Sequence, residues 1–195
     1  ALTAAPDFAE AWNNRGNALR DLERLDEALA CYDKAIAAKP AVAETWNNRG
    51  NVLRDLRRLD EALTSYDKAL TIRLDYGEAL YNRGEIQWVD NRRCEPALRD
   101  LERAAEIDPD CDYVRGYLLH LRMYAGDWRD FDETVAYIDK GVREGRRVVE
   151  PFSYQSISES PADLQACAVI HAAHHEQADD GQRQPHLHWM RGAYM

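Results

Sequence analysis

Apolar and small residues recur at helical spacing along the first hundred positions and break off at regular places. Trp12, Gly16 and Leu19 stand at i, i+4 and i+7, one stripe of a helix, and Ala28, Tyr32 and Ala35 repeat that spacing a little further on. The sequence between the stripes, LRDLERLDEAL, mixes charges of both signs, as a solvated helix face does. Small Gly16 and Ala28 let two helices approach closely, and the Trp12 and Tyr32 rings fill the space beside them. Pro40 cannot continue the second helix but suits the start of another. The pattern predicts an antiparallel helix pair over residues 9–42.

The pair is repeated. WNNRGN occurs at 12–17 and again at 46–51, 34 residues on, and LYNRGE at 80–85 is an altered third copy. Residues 6–39 and 40–73 agree at roughly two positions in three, which marks internal duplication. Period and framework resemble the tetratricopeptide repeat. The second unit, 43–76, carries Trp46, Gly50, Leu53, Ala62, Tyr66 and Ala69, with Leu74 where proline is expected. The third, 77–110, carries Leu80, Gly84, Ala97, Leu101, Ala104 and Pro109. It is one residue longer between its glycine and its proline, so a bulge is expected near 90–94. A degenerate fourth unit, 111–144, would place helices at 113–125 and 128–142 around Gly126 and Asp127. Segment 145–195 reads as a connection over 147–160, a helix from Pro161 to about His175 with Ser160 as its N-cap, and an irregular tail from Asp179. The predicted fold is all-α: a right-handed superhelical solenoid of helix pairs with an additional C-terminal helix. Residues 1–6 match 35–40, the end of a unit, so the chain reads as a fragment of a longer array. It would leave an apolar face around Trp12 and Leu19 to be buried by another copy of the chain or by a rearranged tail.

Charge and composition narrow the partners. A net charge of -10, with no Lys/Arg block clear of acidic neighbours, argues against nucleic acid. No apolar run approaches the ~20 residues that span a bilayer, and no signal segment opens the chain. Four irregularly spaced cysteines fit reduced thiols and a cytoplasmic setting. G-x-S-x-G, Walker, G-x-G-x-x-G and H-E-x-x-H motifs are absent, so neither catalytic residues nor cofactors are expected.

The strongest binding candidates are amides. Asn14 and Asn17, then Asn48 and Asn51, then Asn82 recur on the first helix of successive units. Asn is a mediocre helix former, so its repetition there calls for a reason. Such a ladder could donate to and accept from the backbone of an extended peptide, with Tyr81 and Trp88 supplying apolar contact at the further end. The alternative is that the amides bond neighbouring helices. Arg15, Arg49 and Arg83 also recur, either as a basic stripe or with their guanidinium groups paired to acids such as Asp33 and Asp67. Tetratricopeptide domains that capture a C-terminal carboxylate place Lys or Arg beside groove asparagines; the matching positions here are Asn13, Asn17, Asn48, Glu78 and Asn82, which argues against that mode. Cys167, His171 and His175 share one helix face, but the ends of the trio are ~12 Å apart by helix rise, too far for one ion. A zinc site would need His186, His188 or other tail residues to complete it.

Segment 113–165, with RGYLLHLRMYAGDWRDFDETV and PFSYQSISESPADLQ, resembles the junction of bacterial O-linked N-acetylglucosamine transferase (SPINDLY-like) proteins, where tetratricopeptide repeats lead into a two-lobed glycosyltransferase region. His188, Trp189, Met190, Arg191 and Gly192 loosely resemble the Trp-Arg-Gly segment that precedes that region. The sequence ends before any strand–turn–helix unit for a nucleotide-sugar. The resemblance therefore implies the non-catalytic, partner-recognising half of such an enzyme, with an asparagine ladder in its groove. A free-standing adaptor and a metal-binding C-terminal segment are the other readings.

Overall fold

The computed structural model describes residues 6–89, 93–109 and 111–179. These form ten helices and no strand: α1 Pro6–Asp21, α2 Leu25–Ala38, α3 Ala43–Asp55, α4 Leu59–Ile72, α5 Gly77–Val89, α6 Cys94–Ile107, α7 Val114–Tyr124, α8 Phe131–Arg143, α9 Pro151–Gln155 and α10 Pro161–Asp179. α1 packs on α2, α3 on α4 and α5 on α6, while α2–α3, α4–α5 and α6–α7 join successive pairs. α1–α3, α3–α5 and α5–α7 also touch, so the first helices stand side by side. No helix among the described residues is long and apolar enough to cross a membrane.

The framework residues act as their spacing predicts. A Cβ on Gly16 would lie 2.6 Å from Cε1 of Tyr32, and one on Gly50 would lie 2.5 Å from Cε1 of Tyr66. Tyr32, Tyr66, Ala28 and Ala62 are fully buried. Each of the first two turns closes through a left-handed residue, Glu23 at φ 53° and Arg57 at φ 59°. The bulge expected near 90–94 falls mostly on 90–92, outside the described residues.

Four expectations need correction. α8 starts at Phe131 rather than Trp128, because Asp130 takes a left-handed φ of 55° and breaks the helix. Trp128 stays outside and packs edge-on against Phe131 at 5.3 Å. Segment 147–160 is more than a connection. It holds α9, and its Val148, Val149 and Tyr154 share a core with Leu119, Ile138, Val142 and Cys167. Its backbone runs along the start of α7, with Tyr113 N donating to Arg147 O at 2.7 Å and Gly116 N to Val148 O at 3.1 Å. α10 begins at Pro161 as expected, and Asp163 N donates to Ser160 Oγ at 3.3 Å in an N-cap, but the helix runs on to Asp179. The tail expected to be irregular is otherwise outside the described residues.

The fourth correction is at the N-terminus. Leu19 is buried, and Trp12 is half-buried beneath the ammonium of Lys34, 4.3 Å from its ring. Both side chains pack toward α2 of their own pair. The exposed stripe of α1 lies on another face: Phe8, Ala11, Asn14, Arg15, Ala18 and Leu22.

Candidate peptide-binding groove

Side-by-side first helices bring the repeated asparagines together. Asn48 Nδ2 donates to Asn13 Oδ1 at 3.3 Å and to Asn17 Oδ1 at 3.2 Å. One repeat on, Asn82 Nδ2 donates to Asn47 Oδ1 at 3.2 Å and to Asn51 Oδ1 at 3.0 Å. Asn13, Asn47, Asn48 and Asn82 are buried, so these bonds satisfy amides that desolvation would otherwise penalise. Asn17 Oδ1 also accepts from the Tyr32 hydroxyl at 2.7 Å, and Asn51 Oδ1 from Tyr66 at 2.8 Å. Burial pushes the Tyr32 hydroxyl up to about 12 and raises that of Tyr66 as well, so both remain donors at neutral pH. Asn17 and Asn51 thus have two donors on each Oδ1, while neither Nδ2 has a partner among the described residues.

Charged and aromatic groups continue the row. Arg54 donates to Asn82 Oδ1 at 3.2 Å and to Glu85 Oε2 at 2.9 Å. Asn47 Nδ2 donates to Glu78 Oε1 at 2.9 Å. The Tyr81 and Tyr117 rings meet edge to face with centroids 5.8 Å apart, and Tyr117 donates to Glu150 Oε1 at 3.2 Å. Burial, reinforced by the charge of Glu85, pushes Glu150 up to about 7 against the opposing hydrogen bond from Tyr117. At the other end, an open cleft of about 440 Å³ lies between α1 and the start of α3, lined by Glu10, Asn13, Asn14, Glu44 and Thr45.

Of the residues singled out in sequence, Asn17 and Asn48 share one bonded cluster and Asn51 and Asn82 a second one, a repeat further on, with half-buried Tyr81 beyond them. Asn14 is exposed at the open end. Trp88 is corrected: only 5% exposed, it packs in the core against Tyr124 at 4.6 Å and His120 at 6.5 Å, and so offers no groove surface. The apolar end is the Tyr81–Tyr117 pair instead. Asn47 is a further member that the same WNNRGN string could have given, whereas Glu150 lies outside the repeats and had no such signal.

Two of the three arginines in the stripe form ion pairs, while Arg15 lies 5.4 Å from the Trp12 ring. Arg49 donates to Asp33 at 2.8 Å, and Arg83 to Asp67 at 2.6 Å and to Asp100 at 2.7 Å. Two of the metal candidates, Cys167 and His171, are among the described side chains. Cys167 is buried, with Sγ donating to Val149 O at 3.5 Å, and His171 lies edge-on to Tyr113 at 6.1 Å. The His175 side chain, His186 and His188 lie outside the described residues, within which no three or more His, Cys, Asp or Glu are grouped to hold a metal. All four cysteines are free thiols.

A model of the tetratricopeptide repeat family matches residues 1–43, 13–76 and 47–112. The matches span more than half of the chain, which therefore belongs to the tetratricopeptide repeat family. Among curated proteins none matches it. Solved structures resemble it through their fold. The first tetratricopeptide domain of Spaghetti (RPAP3), bound to the HSP90 peptide SRMEEVD, is 22% identical, covers 65% of this chain and 99% of its own, and has a TM-score of 0.60. The first such domain of human RPAP3 is 24% identical, covers 63% of this chain and 95% of its own, and has a TM-score of 0.59. The domain of Arabidopsis OM64 is 23% identical, covers 59% and 94%, and has a TM-score of 0.56.

Proposed function

We propose that this chain is a protein-interaction module whose asparagine row binds an extended peptide of neutral or basic character. The observation that carries the reading is the pair of Nδ2 groups on Asn17 and Asn51. Their amides are oriented by two bonds each to Oδ1, which leaves donors one repeat apart for the carbonyls of a bound backbone. Asn48 and Asn82 hold these amides in place, and Asn14 extends the row at its open end. Tyr81 with Tyr117 would take an apolar side chain.

Charge sets the ligand class. Glu10, Glu44, Glu78, Glu85 and Glu150 border the row; of the cations beside it, Arg54 is already paired with Glu85, and Lys39 lines the open cleft together with Glu10 and Glu44. The positions at which a carboxylate-capturing domain sets Lys or Arg beside asparagines are Asn13, Asn17, Asn48, Glu78 and Asn82 here, with no cation among them and one acid, so an acidic tail such as SRMEEVD is the wrong ligand. The finer setting, a glycosyltransferase-like protein of the SPINDLY kind, is supported by the sequence of 113–165; a coding sequence beyond Met195 without a nucleotide-sugar domain would remove it.

The test is Asn17→Asp with Asn51→Asp, which keeps both Oδ acceptors and deletes both donors. Neutral peptides selected from a random library should bind the double variant about tenfold more weakly, given about 0.5–1.5 kcal/mol for each lost hydrogen bond. Unchanged affinity with unchanged helix content would leave the amides a purely internal fastening.

A further inference from the structure

The α7 end of the groove brings two carboxylates to one aromatic pair. Tyr81 and Glu85 stand four residues apart on one face of α5, and Tyr117 of α7 meets the Tyr81 ring edge to face. Glu150 enters from the segment before α9, its Oε1 accepting from the Tyr117 hydroxyl at 3.2 Å. Burial raises the Tyr81 and Tyr117 hydroxyls, and the charges of Glu85 and Glu150 reach both and raise them further. The cations nearby are already engaged. Arg54 of α3 gives its Nη1 to Glu85 and Asn82, and Arg147 pairs with Asp112 at 2.6 Å. Among the described residues Glu150 has no ion pair, the Tyr81 hydroxyl makes no hydrogen bond, and neither Oε2 of Glu150 nor Oε1 of Glu85 accepts one. A half-buried carboxylate left in this way lacks the cation that would offset its desolvation. No three His, Cys, Asp or Glu among the described residues are grouped to hold a metal ion, so the cation that fits is an organic one.

We infer that Glu150 and Glu85 take the charged end of one lysine or arginine side chain of the bound peptide, whose methylene stem lies along the Tyr81–Tyr117 pair. This rests on the groove reading proposed above and gives the peptide a register: its basic residue lies at the α7 end, beyond the carbonyls held by Asn17 and Asn51. Glu150 is faced by Glu85 and Tyr81 of α5, Tyr113 and Tyr117 of α7 and Cys167 of α10. The hydroxyls and the thiol are all raised and stay protonated at neutral pH. Glu150 is itself raised to about 7, by burial first and by Glu85 second, and must lose its proton to pair. The preference for a cation therefore grows as pH rises through that value.

The test uses the full chain and mixtures of short peptides, blocked at both ends and random but for one position fixed as lysine, arginine, norleucine or glutamate. The fixed position is walked along the peptide. At pH 8 one position should favour lysine or arginine over norleucine by about tenfold or more, the scale of a hydrogen bond to a charged group, and at about pH 5.5 by no more than about twofold. Glu150→Gln keeps the acceptor for Tyr117; it should remove most of that preference and all of its pH dependence. Asn17→Asp with Asn51→Asp should weaken every mixture without moving the preferred position. A lysine preference spread evenly over all positions reports only the overall field of an acidic chain and overturns the inference. So does a preference that is absent, or that Glu150→Gln leaves unchanged, while norleucine mixtures still bind; the asparagine reading then stands alone. If no mixture binds, both readings fall.

Discussion

Glu150 ends the connection from α8, yet its carboxylate is half-buried against α7, where Tyr117 donates to it, and near Glu85 of α5. Burial disfavours its charged form, and the like charge of Glu85 adds to this, which is why its pKa rises from an ordinary 4.5 to about 7. The sign follows from linkage. A group whose pKa is higher in the folded state stabilises fully below its unfolded value, and that contribution is lost as pH rises through the folded value, here between about 4.5 and 7. Glu150→Gln keeps the acceptor for Tyr117 and removes the charge. It should therefore raise stability at pH 8 by on the order of 1–3 kcal/mol, since each tenfold change in proton affinity is worth about 1.4 kcal/mol, and leave stability near pH 4 unchanged. Urea titrations of both proteins across that range measure it; equal stability at pH 8 would show that solvent already screens the pair. Legibility at this scale was uneven. The asparagine register could be read from WNNRGN, but which amide hydrogens stay open depends on hydroxyls of Tyr32 and Tyr66, brought up from the second helices. Glu150 meets Glu85 only through tertiary folding.

At the scale of elements, α7 is shared by two cores. Val114, Leu118 and Leu121 face the array, while Leu119 joins α8–α10. Gly116 lets the 147–149 backbone cross α7, since a Cβ there would lie 2.8 Å from Val149 Cα and 2.9 Å from Val148 O. Backbone cannot yield as a side chain does. Gly116→Ala should cost about 1–3 kcal/mol, as overpacking does, despite alanine's better helix propensity. Gly77→Ala is the control: the nearest atom to its Cβ would be Ile107 Cγ2 at 3.4 Å, an ordinary side-chain contact, so it should be neutral or stabilising by up to about 1 kcal/mol. Thermal unfolding compares them, and equal behaviour would mean that the crossing segment is loosely held. Helices α1–α6 were legible because each carries the repeat framework. α9 and the start of α8 were not. Pro151 and the serines around it look like a loop until Val148, Val149 and Tyr154 find their core, and a left-handed Asp130 is a local choice that apolar spacing does not register.

Among the described residues, three apolar clusters hand over from one pair to the next. Ile86 of α5 belongs with Val52, Leu53, Tyr32 and Tyr66, and Leu121 of α7 with Leu101 and Ala104 of α6. The last cluster, around Ile138, Val142 and Tyr154, joins the array through Leu119. Stability should then be a sum of neighbour terms and not one global transition. Ile138→Ala removes a fully buried side chain and should cost the C-terminal cluster about 2–5 kcal/mol. Amide exchange should quicken in α8, α9 and α10, while α1–α4 keep their protection; Leu53→Ala should give the reverse order. A uniform loss of protection across all helices after Ile138→Ala would show a single cooperative unit. In the graded case the amides of Asn17 and Asn51, two cores away from α10, stay oriented when the C-terminal end opens. Glu150 and Tyr117, at the junction, do not. Peptide affinity for Ile138→Ala should therefore fall only through the contacts near Tyr81, leaving the asparagine contribution in place.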